Sequence, residues 1–167
     1  SKSQISKRDL VIRESDHFFG EGGYGCFLTI KHGLFIPSAG IDESNAGGEY
    51  YICYPGNPFL SAENLWFKLR NYYRIKNLGL IITDSHTTPL RKGVTGIALA
   101  YWGIEGIENK IGHLDLFKKP LRMTTINVAD ALASTAVLAM GEADERCPLA
   151  VITGASVNFT THVDPEE

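Results

Sequence analysis

The chain has 167 residues, 44% of them hydrophobic, which suits a single globular domain over residues 1–167. Its net charge of -3 provides no extended basic surface, so we expect no nucleic-acid partner. No apolar run approaches the roughly 18 residues of a membrane-spanning helix, so we expect no membrane partner.

The three cysteines, Cys26, Cys53 and Cys147, do not form CxxC pairs. This spacing favours free thiols in a reducing compartment and disfavours a zinc site. We therefore expect a cytoplasmic protein.

The N-terminal part predicts a helix followed by a hairpin. Apolar residues recur near a helical period over residues 7–19, and Ser6 is placed to be the N-cap. The glycine-rich residues 20–25 lack the GxxxxGK[ST] pattern, which favours a linker over a phosphate-binding loop. Two apolar runs around a Lys-His-Gly turn predict a hairpin over residues 27–37.

Residues 38–48 combine small residues with many side-chain oxygens, among them Asp42, Ser44 and Asn45. Two interpretations are open for this loop. Local Asx and Ser turns explain the composition structurally, and composition alone favours this interpretation. The oxygens of Asp42 and Asn45 are also suited to a ligand or a metal-bound water.

The next stretch predicts a β-α-β unit. Residues 50–54 resemble a strand stopped by prolines, and Ser61 is placed to cap a helix that ends near Arg74. Residues 78–82 form an Ile-rich run without polar side chains, which predicts a strand buried on both faces.

Asp84 follows that apolar run where turn-forming residues begin. The end of a buried strand is a common ligand site in α/β sheets, and a carboxylate there can bind a divalent cation. Arg91 is suited to bind a phosphate or carboxylate with two N–H donors. The structural alternative is that Asp84 caps a turn while Arg91 is solvated.

The C-terminal half predicts a strand over residues 93–102, a loop over 103–121 and a short extended segment over 122–125. Residues 149–154 predict another buried strand.

Residues 127–141 predict the strongest helix, with Asn127 as N-cap and Gly141 as C-terminal stop. Asp130 lies in its first turn, where a carboxylate complements the helix dipole. The functional alternative is that Asp130 faces the crevice that contains Asp84. Two carboxylates that converge there would repel each other unless a cation lay between them.

Five stretches, in order, resemble the coenzyme F420-0:gamma-glutamyl ligase family. The bacterial branch of this family shares the sequence segments TTPLR and NVADALA. The five stretches are residues 39–45, 81–85, 89–98, 121–124 and 128–141. The resemblance implies an α+β fold, with a mixed β-sheet core and packed helices, and a homodimer. It also implies that residues 1–167 are trimmed at both ends relative to the family.

The resemblance further implies a ligase that activates a carboxylate with GTP, or ATP, and adds L-glutamate to a small-molecule acceptor through a γ-glutamyl linkage. Asp84 and Asp130 match the metal-binding aspartates, with Mg or Mn as the cation and K as a further candidate. In this hypothesis Arg91 stabilises a phosphate or substrate carboxylate, and His86 is a general base by position, with a solvated turn residue as the alternative. The expected nucleotide and substrate contacts are Thr87, Asp42, Ser44 and Asn45.

Two alternatives to this function are open. The acceptor is a folate in some relatives, which would keep the reaction and change the substrate. A non-catalytic relative that binds a nucleotide or other ligand is the second alternative.

Overall fold

The computed structural model describes residues 1–165, which form two compact units. One comprises Ser1–Gly56 with His86–Gly93, and the other comprises Asn57–Ser85 with the described residues from Val94 onward. Helices and small β-sheets occur together in the chain, which confirms the predicted α+β class. The single domain over residues 1–167 stays a prediction.

The first unit contains one helix and a three-stranded antiparallel sheet in the order β1-β2-β3. The elements are α1 (Lys7–Glu14), β1 (His17–Glu21), β2 (Phe27–Lys31) and β3 (Leu34–Pro37). Ser6 caps α1 as predicted, because its Oγ accepts the Asp9 N–H at 3.1 Å. The helix ends at Glu14 rather than at residue 19, because the following residues pair with β2.

The predicted hairpin is confirmed, and its turn explains its sequence. His32 and Gly33 both have positive φ angles, 51° and 74°, as tight hairpin turns require. The core of this unit packs Leu10 and Val11 of α1 against Ala39 and Ile41. These buried apolar contacts hold the helix against the segment that follows β3.

The Glu43 carboxylate anchors the start of the chain. It accepts from Lys2 Nζ at 2.8 Å and from Lys7 Nζ at 2.6 Å. Hydrogen bonds from these ammonium groups lower the pKa of Glu43 below its ordinary value of 4.5. A lowered pKa in the folded state means that the ionised carboxylate stabilises the fold above the unfolded-state pKa.

We expect Glu43→Gln to lower the melting temperature slightly at neutral pH, because exposed ion pairs contribute about 1 kcal/mol or less. The difference from wild type should disappear as the pH falls through the lowered pKa of Glu43, where the wild-type carboxylate becomes protonated. Thermal unfolding at a series of pH values measures this, with exposed Glu21→Gln as the control. A difference that is the same at every pH would contradict the expectation.

The second unit contains two longer helices, a long strand pair and a short strand pair. Its elements are α2 (Pro58–Tyr73), β4 (Leu80–Thr87, whose last two residues belong to the first unit), β5 (Val94–Trp102), β6 (Ile107–Asn109), β7 (Thr125–Asn127) and α3 (Val128–Met140). The core packs Ala62 and Trp66 of α2 against Ala100 and Trp102 of β5. The Trp66 indole N–H donates to the Leu78 carbonyl at 2.7 Å, which satisfies its polar group inside the core.

The predicted β-α-β unit is wrong. Residues 50–54 contribute one isolated bridge, between Asp42 and Ile52, and no strand. The helix starts earlier than Ser61, because Asn57 caps it and Pro58 occupies its first turn, a position that tolerates proline. β4 pairs with the next strand, β5, and residues 88–93 connect the two strands. This connection is too short for a parallel crossover.

Three further predictions differ from the structure. β4 extends to Thr87 and is half-buried along most of its length, so it is not buried on both faces. Residues 149–154 form no strand and are exposed, since nothing within residues 1–165 pairs with them. The predicted loop over residues 103–121 contains β6, whose partner β7 lies at Thr125–Asn127.

Within the described part of the chain, no helix is both long and apolar enough to cross a membrane.

Candidate functional site

Helix α3 lies against β5 at very short range. Its buried face consists of Ala129, Ala133 and Val137, and small side chains allow close approach. Gly96 of β5 lies directly beneath, where an added Cβ would be 2.4 Å from the Ala133 carbonyl oxygen. The helix backbone therefore approaches the strand backbone closely enough for short polar side chains of α3 to reach it.

Two side chains of α3 bond to the backbone of β5. Asp130 Oδ1 accepts the Ala98 N–H at 2.9 Å, and Ser134 Oγ donates to the Gly96 carbonyl at 2.8 Å. Because Gly96 and Ala98 are two residues apart, their backbone groups point to the same edge of the strand. Thr95 Oγ1 completes this group by donating to Ser134 Oγ at 3.0 Å.

The Asp130 carboxylate is held by donors at both oxygens. Its Oδ2 accepts from Asn127 Nδ2 at 2.7 Å, while the Asp130 N–H donates to Asn127 Oδ1 at 2.9 Å. Asn127 is thus the N-cap of α3, as predicted, and Gly141 is the C-cap. These contacts give the Asp130 side chain a structural role at the start of α3. Each oxygen also keeps a lone pair, since a carboxylate offers about four acceptor sites.

Asp84 does not lie where the strand ends, because β4 continues past it to Thr87. It is half-buried and has an interaction within the chain. β4 is the hydrogen-bonded neighbour of β5. The second unit therefore carries one aspartate within β4 and the other, Asp130, bonded to the adjacent strand β5.

His86 and Thr87 are also strand residues rather than turn residues. The His86 ring is half-buried, and its Nδ1 is buried without a hydrogen-bond partner among the described residues. The interpretation of His86 as a solvated turn residue is therefore wrong. Thr87 is exposed at the end of β4.

Arg91 lies in an exposed turn after β4. Its backbone N–H donates to the Thr88 carbonyl at 3.1 Å, and the preceding Leu90 adopts a positive φ of 63°. The guanidinium group is on an exposed residue. Arg91 comes four residues after the last residue of β4 in the sequence, and its binding of a phosphate or carboxylate stays a prediction.

The oxygen-rich loop in the first unit is organised by Asp42. Its Oδ1 accepts the Ser44 N–H at 2.8 Å, and its Oδ2 accepts the Ser44 hydroxyl at 2.7 Å. The Asp42 backbone also forms both hydrogen bonds of the bridge to Ile52. Asn45 follows with a positive φ of 52° and has an interaction within the chain. The local turns expected from composition are present, and a ligand role for these residues stays a prediction.

The cation-binding role of Asp84 and Asp130 stays a prediction, and carboxylates have the chemistry for it. Among residues 1–165 no group of three or more His, Cys, Asp or Glu side chains is arranged to hold a metal ion. Mg²⁺ is commonly bound through only one or two carboxylates, with phosphates and waters as the other ligands. Asp130, with a lone pair left on each oxygen, and Asp84 are carboxylates of the kind that such a cation uses.

The sequence interpretation missed the partners of the Asp130 carboxylate. Asn127 was expected to cap α3, but its amide also contacts the side chain of Asp130. The Asn-x-x-Asp spacing carries this signal, because it resembles a capping box in which the third residue turns back toward the cap. No local sequence pattern indicates the hydrogen bond from the Ala98 N–H to Asp130, since this bond depends on how α3 packs on β5.

Comparisons with known proteins agree with the resemblance stated above. A family model described as F420-0:Gamma-glutamyl ligase matches residues 2–154. The chain is 42% identical over 150 residues to a Methanocaldococcus jannaschii protein named Coenzyme F420:L-glutamate ligase, and the match covers 90% of this chain and 59% of that protein.

Two other proteins with this name are similarly related. The Methanopyrus kandleri protein is 34% identical over 146 residues, covering 87% of this chain and 58% of its own. The Methanococcus maripaludis protein is 35% identical over 157 residues, covering 94% of this chain and 62% of its own. The chain thus spans between 58% and 62% of the length of these relatives. It belongs to the F420-0:gamma-glutamyl ligase family.

Proposed function

We propose that this chain is a γ-glutamyl ligase that joins L-glutamate to a cofactor acceptor of the F420-0 type. The support is membership of the family, together with relatives that carry the name Coenzyme F420:L-glutamate ligase. Amide formation from a free carboxylate needs activation, and we propose a nucleoside triphosphate, GTP or ATP, as the source. We further propose a cytoplasmic homodimer.

The proposed reaction has two balanced steps. A carboxylate oxygen of the acceptor attacks the γ-phosphorus, which forms an acyl phosphate and releases the nucleoside diphosphate. The glutamate amine then attacks the acyl carbon, which forms the amide, expels inorganic phosphate and releases a proton. Catalysis of such phosphoryl transfer depends mainly on positioning and on stabilisation of charge.

Asp84 and Asp130 are the residues that we propose to hold a divalent cation, Mg or Mn, with K as an additional ion. When bound, such an ion neutralises charge on the transferring phosphoryl group. The observation that carries the proposal is the fixed Asp130 carboxylate, which the Ala98 N–H and Asn127 Nδ2 hold at 2.9 Å and 2.7 Å. Two donors orient the oxygens before any ligand arrives.

The remaining predicted residues have individual roles in this proposal. Arg91 presents five N–H donors that suit a phosphate or a substrate carboxylate. His86 is the proposed base for the glutamate amine. The proposed substrate or nucleotide contacts are Thr87, Asp42, Ser44 and Asn45.

The test is a coupled product assay. The protein is incubated with F420-0, L-glutamate, a divalent cation and either GTP or ATP, and mass spectrometry detects addition of a glutamyl group. We expect product with Mn²⁺ or Mg²⁺ and none with chelator, because the phosphoryl step needs the cation. Nucleoside diphosphate should form in proportion to the amide.

Parallel reactions with a folate in place of F420-0 show which of the two acceptors the protein uses. A glutamylated folate without glutamylated F420-0 would replace the proposed acceptor and keep the reaction class. Absence of product with both acceptors, together with no binding of GTP or ATP in calorimetry, would contradict the ligase proposal. Nucleotide binding without turnover would instead support a non-catalytic relative.

A further inference from the structure

We propose that Asn127 is a positioning residue for the Asp130 carboxylate, in addition to being the N-cap of α3. This inference rests on the proposed function, because it concerns the carboxylate that we assign to the cation. It concerns a residue that touches neither substrate nor cation in the proposal. Asn127 would act only through the orientation of Asp130.

The Asn127 amide contacts Asp130 with both of its ends. Oδ1 accepts the Asp130 backbone N–H at 2.9 Å, and Nδ2 donates to Asp130 Oδ2 at 2.7 Å. These contacts fix the orientation of the amide. If it were reversed, an NH₂ group would face the backbone N–H and an oxygen would face the carboxylate, so both hydrogen bonds would be lost.

The Asn127 bond restrains a rotation that the backbone contact alone leaves free. Asp130 Oδ1 is bound to the Ala98 N–H of β5, so the carboxylate is fixed at one oxygen by the strand. The bond to Asn127 Nδ2 fixes the second oxygen and therefore the plane of the carboxylate. A carboxylate held in one plane loses less freedom when it binds a cation, which is how outer-shell partners raise metal affinity.

Helix α2 provides the matched comparison within the same unit. Asn57 caps α2 in the same way, with its Oδ1 accepting the Leu60 N–H at 2.9 Å. The residue three positions after the cap is Leu60 there and Asp130 in α3. The side chain of Leu60 offers no acceptor, so the second function of Asn127 has no counterpart at Asn57.

The experiment compares Asn127→Gly with Asn57→Gly. Glycine is tolerated at an N-cap, so each substitution should lower the melting temperature slightly and by a similar amount. Glycine has no side chain that could donate to Asp130 Oδ2, whereas a serine could, since Ser6 Oγ both caps α1 and donates to Asp9 Oδ2 at 2.6 Å. We therefore expect Asn127→Gly alone to weaken Mn²⁺ binding, by about 10-fold, as loss of an outer-shell partner does. Calorimetry and the Mn²⁺ electron paramagnetic resonance signal measure binding without turnover.

Each result bears on the inference. If Asn127→Gly and Asn57→Gly bind Mn²⁺ as tightly as wild type, Asn127 is only a cap, and the inference fails while the proposed function stands. If wild type itself does not bind Mn²⁺, the proposed cation site fails and the inference with it. Should Asn127→Gly not fold, Asn127→Ala compared with Asn57→Ala gives the same comparison, because alanine also lacks a donor and weakens both caps alike.

Discussion

Replacing Asp130 with Asn is expected to remove the proposed ligase activity and most of the proposed Mn²⁺ binding while the protein stays folded. An Asn at this position keeps an oxygen that can accept the Ala98 N–H, so α3 should remain attached to β5. Its amide has no negative charge, and its NH₂ group would face Asn127 Nδ2. We expect activity to fall by more than about 100-fold, beyond the effect typical of an outer-shell partner.

Ser134→Ala is the control for this prediction. Ser134 lies one turn further along α3 and also bonds to β5, through the Gly96 carbonyl at 2.8 Å. Its removal should cost stability by an amount similar to that of Asp130→Asn, about 1 kcal/mol. Activity should be retained, since the charge of Asp130 is unchanged. The proposed role of Asp130 is wrong if Asp130→Asn and Ser134→Ala have equal activity and equal Mn²⁺ affinity.

Gly96→Ala is expected to cause the largest loss of stability. The new methyl group would lie 2.4 Å from the Ala133 carbonyl oxygen and 2.7 Å from Val137 Cγ2. The first of these atoms belongs to the helix backbone, which cannot move aside as a flexible side chain can. α3 must therefore shift away from β5, and we expect the free energy of unfolding to fall by about 3 kcal/mol. Denaturation by urea measures this value.

Gly56→Ala is the matched control for the same change. No heavy atom lies within 4 Å of the added Cβ at Gly56, and its φ lies outside the left-handed region. The free energy of unfolding of Gly56→Ala should lie within about 1 kcal/mol of the wild-type value. It can be higher, because alanine restricts the unfolded chain. If Gly96→Ala unfolds at the same urea concentration as Gly56→Ala, the close packing of α3 on β5 is not as described.

Several local signals in the sequence predicted local structure correctly, although the cap at Ser61 was wrong. The caps at Ser6 and Asn127 and the turn at His32 and Gly33 were all identifiable, because each depends on residues within one turn. The family resemblance gave the α+β class and the candidate aspartates.

Features that depend on distant partners could not be predicted. The apolar run at residues 149–154 has the composition of a strand, but pairing decides whether a strand forms, and it has none within the described chain. The polar residues 83–87 have the composition of a turn but continue β4 beside β5. The contact between Ala98 and Asp130 joins positions 32 residues apart, so no local pattern indicates it.

The side chains of Asp130 and Ser134 also close one edge of β5, because they occupy its Ala98 N–H and Gly96 carbonyl. A strand edge with open backbone groups is a template on which another molecule can add its own strand. We therefore expect correct docking of α3 during folding to reduce intermolecular aggregation. Substitutions that loosen this helix should reduce the yield of dispersed protein.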